Sequence, residues 1–275
     1  MSPSSYPAPL VLLHALGSSH EAWDPVVPAL AEHFDVHAVD LPGFGDSAPL
    51  AGTVVPTPAA LAAAVAATLD AKGIRSPHVV GNSLGGWVAL ELAALRPVAS
   101  LTLLSPAGMW PGTTPLYCRV SLRTTRWLAV HLPRVLGRLV GSRFGRMLVL
   151  AQSHGRPGRV TAEQARGAIH AIGTCPAFDA TLAATIDTRY APGADVDVPV
   201  TVAYGSRDRI LLRHRWRGTD RLPPRTTVAA LPRCGHIPMA DDPRAVADLI
   251  LRSAGRSSPK PARSSHTPTP ATRRR

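Results

Sequence analysis

The sequence predicts an α/β protein built on a mostly parallel, doubly wound sheet of about six strands, with a helical lid inserted after the fourth strand. Three observations carry this expectation. Short β-branched runs alternate with longer helical patterns, the order that leads to parallel strands with helices on both faces. Between the fourth and fifth of these runs lies a long stretch, about residues 108–194, that is Arg-rich, helical in pattern and without strand signals. The chain has 275 residues, 45% apolar and 17% charged, which suits one large core carrying an insertion and not a disordered chain.

The elements follow in order. Residues 9–14 (Pro-Leu-Val-Leu-Leu-His) read as a buried strand. Residues 22–33 read as a helix, with Pro25 tolerated in its first turn. Residues 35–39 form a second strand. Thr57 is an N-cap, Pro58 stands at the first helical position and Gly73 lies just past the end. The helix between them is nearly all Ala, Leu and Val, which predicts burial. Residues 78–81 form the third strand, and a helix over 84–95 stops before Pro97. The fourth, fifth and sixth strands fall at 100–104, 200–204 and 226–231. Asp242 and Pro243 open a last helix that runs to about residue 252. The expected division is a core of residues 1–108 and 195–252, a lid over 109–194, and a disordered basic tail over 253–275, rich in Ser, Pro and Arg.

The formal charge of +12 invites a nucleic-acid reading, but its distribution opposes one. Residues 252–275 carry seven positive charges and no acid, and residues 109–170 carry ten Arg against Glu163 alone. The remainder of the chain is net negative. Of the 30 basic residues only Lys72 and Lys260 are lysines, a bias of composition and not a phosphate-reading motif, so no specific nucleic-acid partner is expected. No apolar run reaches the length of a membrane-spanning helix. The first ten residues hold no Lys or Arg and the apolar run after them breaks at His14, so no secretory signal is expected. Cys118, Cys175 and Cys234 are widely spaced, forming neither a disulfide framework nor a metal-ligand cluster, and a reducing cytoplasm is the expected location.

Gly81-Asn82-Ser83-Leu84-Gly85-Gly86 follows a predicted strand and opens a predicted helix. In that context G-x-S-x-G marks a sharp turn that lifts a serine hydroxyl off the sheet, with small residues where backbone segments crowd. A serine hydroxyl is a poor nucleophile at neutral pH and needs a base, which in turn needs an orienting group. Among eleven histidines, His236 is best placed, in a loop between the sixth strand and the last helix. His14 ends the first strand and buttresses the neighbouring loop. His20, His33, His37, His78, His131, His154, His170, His214 and His266 have no supporting context. Asp208 follows the fifth strand and is the natural orienting acid, because working residues gather at the carboxyl ends of such strands. Asp195 and Asp197 precede that strand, at its wrong end, and Asp241 and Asp242 suit a helix N-terminus better. The chain order Ser83, Asp208, His236 is one known solution to the triad problem.

These motifs resemble the α/β-hydrolase superfamily over about residues 9–108 and 198–252. The matching stretches are Leu12-Leu-His-Ala-Leu-Gly17 with Trp23 downstream, Asp40-Leu-Pro-Gly-Phe-Gly-Asp-Ser47, the Ser83 turn, Tyr204-Gly-Ser-Arg-Asp208 and Cys234-Gly-His236. The resemblance implies an oxyanion hole formed by the backbone N–H of Leu84 and, from the loop after the first strand, that of Leu16. Two departures stand out. The family usually reads His-Gly where this chain has His14-Ala15, and usually has two further strands before that loop, so the fold expected is the trimmed form lacking the first two strands.

What the resemblance implies is a two-step acyl transfer on a small-molecule carboxylic ester, lactone or thioester, with no metal or organic cofactor. Haloalkane dehalogenases and epoxide hydrolases of this fold use an aspartate nucleophile where this chain has Ser83. Lysine-assisted hydroxynitrile lyases need a lysine at the site, and neither Lys72 nor Lys260 is placed for it. Carbon–carbon bond hydrolases of the meta-cleavage type share Gly-Asn-Ser-x-Gly-Gly and stay open as an alternative. So does a small-molecule receptor on the same fold, since fold does not fix function. In the lid, Arg119, Arg123 and Arg126 recur at helical spacing and Arg134 and Arg138 stand four apart, among Trp127, Leu128, Leu132, Val135, Leu136, Leu139, Val140, Phe144, Met147 and Leu148. The expectation is an amphipathic lid with its apolar side over the pocket and its Arg side in solvent. Contact with anionic lipid, or attraction of acidic substrates, is the sharper reading.

Overall fold

A computed structural model describes residues 7–192, 196–212 and 219–255. Six strands form one parallel sheet: β1 (Ala8–Leu13), β2 (Phe34–Val39), β3 (His78–Asn82), β4 (Ser100–Leu104), β5 (Val200–Gly205) and β6 (Thr227–Leu231). Their order is β2-β1-β3-β4-β5-β6, so the chain reverses its direction of travel between β1 and β3. Open sheets of this kind leave a crevice at the carboxyl ends of the strands flanking such a reversal.

Side chains alternate across the sheet and divide the core in two. Val11, Leu13, Val79, Leu101, Leu103 and Val202 pack on one face with α2 (Pro58–Ala71) and α3 (Leu84–Leu95). Leu10, Leu12, Val80, Leu104 and Ala203 pack on the other with α1 (Val27–Ala31) and α9 (Pro243–Ser253). Thr57 caps α2 by accepting from Ala60 N–H, and Asp242 caps α9 by accepting from Ala245 N–H.

The single helix expected over 22–33 is a correction. The chain makes a 3₁₀ turn at His20–Trp23 and restarts as α1 at Val27. Pro28 would sit in the interior of a continuous helix, where its missing N–H and ring are costly; in the restarted helix it falls in the first turn.

Between β4 and β5 the chain forms α4 (Leu116–His131), α5 (Pro133–Leu139), α6 (Arg143–Val149), a 3₁₀ turn at Pro157–Arg159, α7 (Ala162–Thr174) and α8 (Phe178–Ile186). α7 packs against both α4 and α5, and Ala129, Val140, Leu150, Val160, Ala165 and Ile169 make a small core of their own. The amphipathic expectation holds in part, with Leu128, Leu136 and Leu139 lining the cavity and Arg123, Arg134 and Arg138 exposed, and is corrected for the rest. Arg119 and Arg126 turn inward: Arg119 donates to Thr114 O and pairs with Asp187, and Arg126 donates to Cys175 O and pairs with Asp179. Trp127, Leu132, Val135, Phe144, Met147 and Leu148 are instead exposed. Residues 256–275, most of the expected tail, lie outside the described residues, as do Asp195, His214, Lys260 and His266.

Candidate active site

β3 ends at Asn82, and Ser83 bridges strand and helix with φ 53° and ψ −112°. A positive φ at a non-glycine residue is strained and persists only where the surroundings impose it. Here they do. Ser83 N–H donates to Leu104 O, and Ser83 O accepts from Gly86, Trp87 and Ala107 N–H. The turn is also closely packed: a Cβ at Gly81 would lie 2.2 Å from Gly85 O, and one at Gly85 would lie 2.2 Å from Leu13 O. The glycines on either side of Ser83 are thus required by backbone contact, as the motif predicts.

Leu84 is the first residue of α3, so its N–H has no carbonyl to bond within the helix. Leu16 lies in the loop after β1, and both residues line the same cavity as Ser83. Neither backbone N–H donates to a protein acceptor among the described residues. The loop is held from below by His14. Leu41 N–H donates to His14 Nε2, so the proton resides on Nδ1, which donates to Ala15 O. Complete burial pushes the His14 pKa down to about 4, which keeps the ring neutral in this arrangement.

Asp208 and His236 meet at the carboxyl ends of β5 and β6. His236 Nδ1 lies 2.9 Å from Asp208 Oδ2, and both residues are buried. Asp208 Oδ1 accepts from Ile210 and Leu211 N–H at 2.9 and 2.8 Å. Burial alone would raise the Asp208 carboxyl, but the His236 ring beside it and the two N–H groups hold it well below the usual carboxylate range. An ionised carboxylate only accepts hydrogen bonds, so the His236 proton belongs on Nδ1 and Nε2 carries the free lone pair. Asp197 is exposed at the amino end of β5, away from this pair.

Three residues at the site escape a reading of the sequence. Asn82, fully buried, donates from Nδ2 to His236 O and to Leu104 O, both at 2.9 Å. Asp241 does not cap a helix as expected. It is fully buried, and it accepts from Gly155, Arg156 and Gly235 N–H, all at 2.7 Å. It thereby binds the residue before His236 to the segment after α6. His154 lines the cavity with Nδ1 2.9 Å from Ser153 Oγ, and burial lowers its pKa. Asn82 sits at a variable position of its motif, and two of the three partners of Asp241, Gly155 and Arg156, lie about 86 positions away, so neither role has a local signature.

Ser83, Leu84, Leu16 and His236 all border one cavity of about 670 Å³. Its walls come from the β4–β5 helices, with Leu128, Leu136, Ile169, Ile172 and Leu182 among them. No Asp, Glu, Lys or Arg lines it among the described residues. Cys118 also borders it, but burial pushes its thiol up to about 11, so it is neutral at pH 7. One group could hold a cation by proximity: ligand atoms of His20, Asp40 and Asp46 lie within 4.8 Å of one another. The Asp40 oxygens there already accept from His20 N–H, His20 Nδ1 and Asp46 N–H, an arrangement complete without an ion. No helix among the described residues is long and apolar enough to cross a membrane.

Residues 10–249 match the profile described as "Alpha/beta hydrolase family". Epoxide hydrolase EphH of Mycobacterium tuberculosis is 30% identical over 203 residues, covering 70% of this chain and 92% of that one. The pimeloyl-[acyl-carrier protein] methyl ester esterase of Aeromonas hydrophila is 45% identical over 114 residues, covering 38% of this chain and 43% of that enzyme. Among solved structures, a thermophilic esterase from Thermogutta terrifontis superposes with a TM-score of 0.69 at 21% identity, over 91% of this chain and 92% of that one.

Proposed function

The chain belongs to the alpha/beta hydrolase family, and from that premise we propose that it is a serine hydrolase cleaving an uncharged carboxylic ester, or a related lactone or thioester, through an acyl-enzyme on Ser83. The observation that carries this is that His236, hydrogen-bonded to the buried Asp208, and Ser83 border one cavity lined by no Asp, Glu, Lys or Arg among the described residues. In this reading His236 Nε2 takes the Ser83 proton as Oγ attacks the substrate carbonyl, forming a tetrahedral intermediate. The oxyanion rests on the N–H groups of Leu84 and Leu16, where each donor is worth about 10²–10³ in rate. His236 then protonates the leaving alkoxide or thiolate as the carbonyl reforms. Water attacks the acyl-enzyme by the same route and frees Ser83. Asp208 holds the imidazole tautomer and stabilises its charged form. The β4–β5 helices cover the cavity as a lid, excluding bulk water and shaping acyl specificity.

The name of the mycobacterial relative raises epoxide opening, and the chemistry of Ser83 opposes it. Attack of a serine Oγ on an epoxide carbon would leave an ether, with no carbonyl through which water could release the product. A carboxylate nucleophile would leave an ester, which water can cleave.

The reading is tested with a fluorophosphonate probe and a panel of p-nitrophenyl esters of graded chain length, run beside a vinylogous 1,5-diketone. Ser83 should be labelled, and Ser83→Ala should abolish labelling and lower ester turnover by about 10³-fold or more. Labelling that persists in Ser83→Ala, or cleavage of the diketone alone, would overturn it. Tight ligand retention with no labelling would point to the receptor reading.

A further inference from the structure

The exposed face of α4 to α6 has a composition that water does not explain. At 100° per residue, Leu116, Val120, Arg123, Trp127 and Val130 fall within an arc of about 80° along α4. All five are exposed, Leu116 at 74%. The opposite side of the same helix carries Cys118 and Ala129, which are buried. α4 therefore turns an apolar stripe outward. α5 and α6 extend it with Leu139, Phe144 (77% exposed), Met147 and Leu148 (65%). Single exposed apolar residues are ordinary, but a run of them over three consecutive helices marks a surface that meets something other than water.

Positive charge is interleaved with this stripe. Arg123, Arg134, Arg138 and Arg143 are exposed on the same three helices, and none has an ion-pair partner among the described residues. Residues 109–162 contain no Asp or Glu at all. The stripe also leads to the cavity, because Val120, Leu139 and Leu148 are exposed and line the cavity at once. The apolar and basic face is thus continuous with the wall of the cavity that Ser83 borders.

We infer that α4 to α6 form a docking surface for an anionic lipid bilayer, with Phe144, Leu148, Leu116 and Trp127 entering the headgroup–acyl boundary and the four arginines on lipid phosphates. Charge and apolarity select this occupant together. An acidic protein would satisfy the arginines but leave the aliphatic and aromatic side chains against a polar surface. A second copy would bring four unpaired arginines against four others. A bilayer with anionic headgroups offers phosphate oxygens above and hydrocarbon below, matching a face that carries both kinds of group. Docking stands apart from the reaction at Ser83, so it can fail while that reading survives.

The test uses the full-length chain and sedimentation with large unilamellar vesicles, either neutral phosphatidylcholine or its mixture with phosphatidylglycerol, at low and high salt. Binding to the mixed vesicles should exceed binding to neutral ones and weaken with salt. Phe144→Ser with Leu148→Ser should lower the partition coefficient about tenfold or more. Arg134→Gln with Arg138→Gln should lower it about tenfold at low salt. These side chains are exposed, and unchanged thermal melts would show that the variants fold. The fluorescence difference between the wild type and Trp127→Phe should shift to the blue on adding mixed vesicles. Binding unaffected by either pair of substitutions would assign it to the basic residues of 252–275 and overturn the proposal. Equal binding to neutral vesicles, no binding, or capture by an acidic carrier protein in place of vesicles would overturn it as well.

Discussion

Replacing Asp241 by Asn tests whether one buried carboxylate holds the His236 loop to the helical insertion. Oδ2 accepts from Gly155 and Gly235 N–H, and Oδ1 accepts from Arg156 N–H. An amide of the same shape can satisfy only one side. With its oxygen in the Oδ2 position it keeps two bonds and sets an NH₂ group against the Arg156 N–H; turned round, it loses two. The first arrangement costs less. Opposing one N–H costs about 1–3 kcal/mol, and the two surviving bonds each weaken by about 1 kcal/mol on losing their charge. Relief from burying an anion offsets part of this, leaving a loss of about 2–4 kcal/mol. The checks are urea unfolding at constant m-value and steady-state ester kinetics under conditions where the variant is folded. Stability should fall by that amount. kcat should fall about 10- to 100-fold with KM little changed, because Gly235 precedes His236, the proposed base, and small displacements of a base are costly. A variant within about 0.5 kcal/mol of the wild type and with unaltered kcat would show that the loop holds its position without this carboxylate.

His14 makes stability depend on pH in a definite direction. In the unfolded chain its pKa is about 6.5 and in the folded protein about 4, so below 6.5 the unfolded state binds the extra proton; stability from this group is complete above pH 6.5 and lost as pH falls towards 4. Over that range the wild type should lose about 3 kcal/mol more than His14→Gln by urea unfolding, and parallel stability curves would remove His14 as the cause. Gly85→Ala places a methyl 2.2 Å from Leu13 O and 2.6 Å from His14 O, all backbone, so it should cost at least about 3 kcal/mol and lower the melting temperature sharply. A melting temperature within about 2 °C of the wild type would mean that the Ser83 turn is looser than its contacts imply.

How much of this was legible in the sequence depended on whether the deciding contact was local. The six strands were read within a residue or so because each is a short apolar run bounded by turn residues. Ser83 was legible because its turn imposes small residues two positions away on each side, a constraint written in consecutive letters. Asp208 was singled out by its place after a strand, a rule about topology that needs no knowledge of contacts. The pairing of Asp208 with His236 followed from two such rules applied at neighbouring strand ends. Asn82 and Asp241 offer no comparable handle. Their partners, the His236 carbonyl and the N–H groups of residues 155 and 156, become neighbours only once the insertion has packed against the His236 loop.

α4 shows why a correct pattern can still give the wrong face. Its sequence carries two apolar stripes, one through Leu116, Val120, Trp127 and Val130 and the other through Cys118, Leu122 and Ala129. A helical period identifies both but cannot rank them, and the bulkier stripe is the natural choice for the interior. The fold chooses the other. Small side chains at Cys118 and Ala129 let α4 come close to its neighbours; Gly173 of α7 is so near that a Cβ there would lie 3.0 Å from Ala129 O. Arg126 then reaches across to the end of α7, where Cys175 O accepts from it, a bond that holds its guanidinium inside the insertion. Close approach and a satisfied guanidinium decide which side faces in, and the large apolar residues are left on the outside by exclusion. An outward stripe chosen this way costs solubility, and a sequence that keeps Phe144, Leu148 and Trp127 there, among arginines without an ion-pair partner among the described residues, has a surface shaped for a partner that is both anionic and apolar.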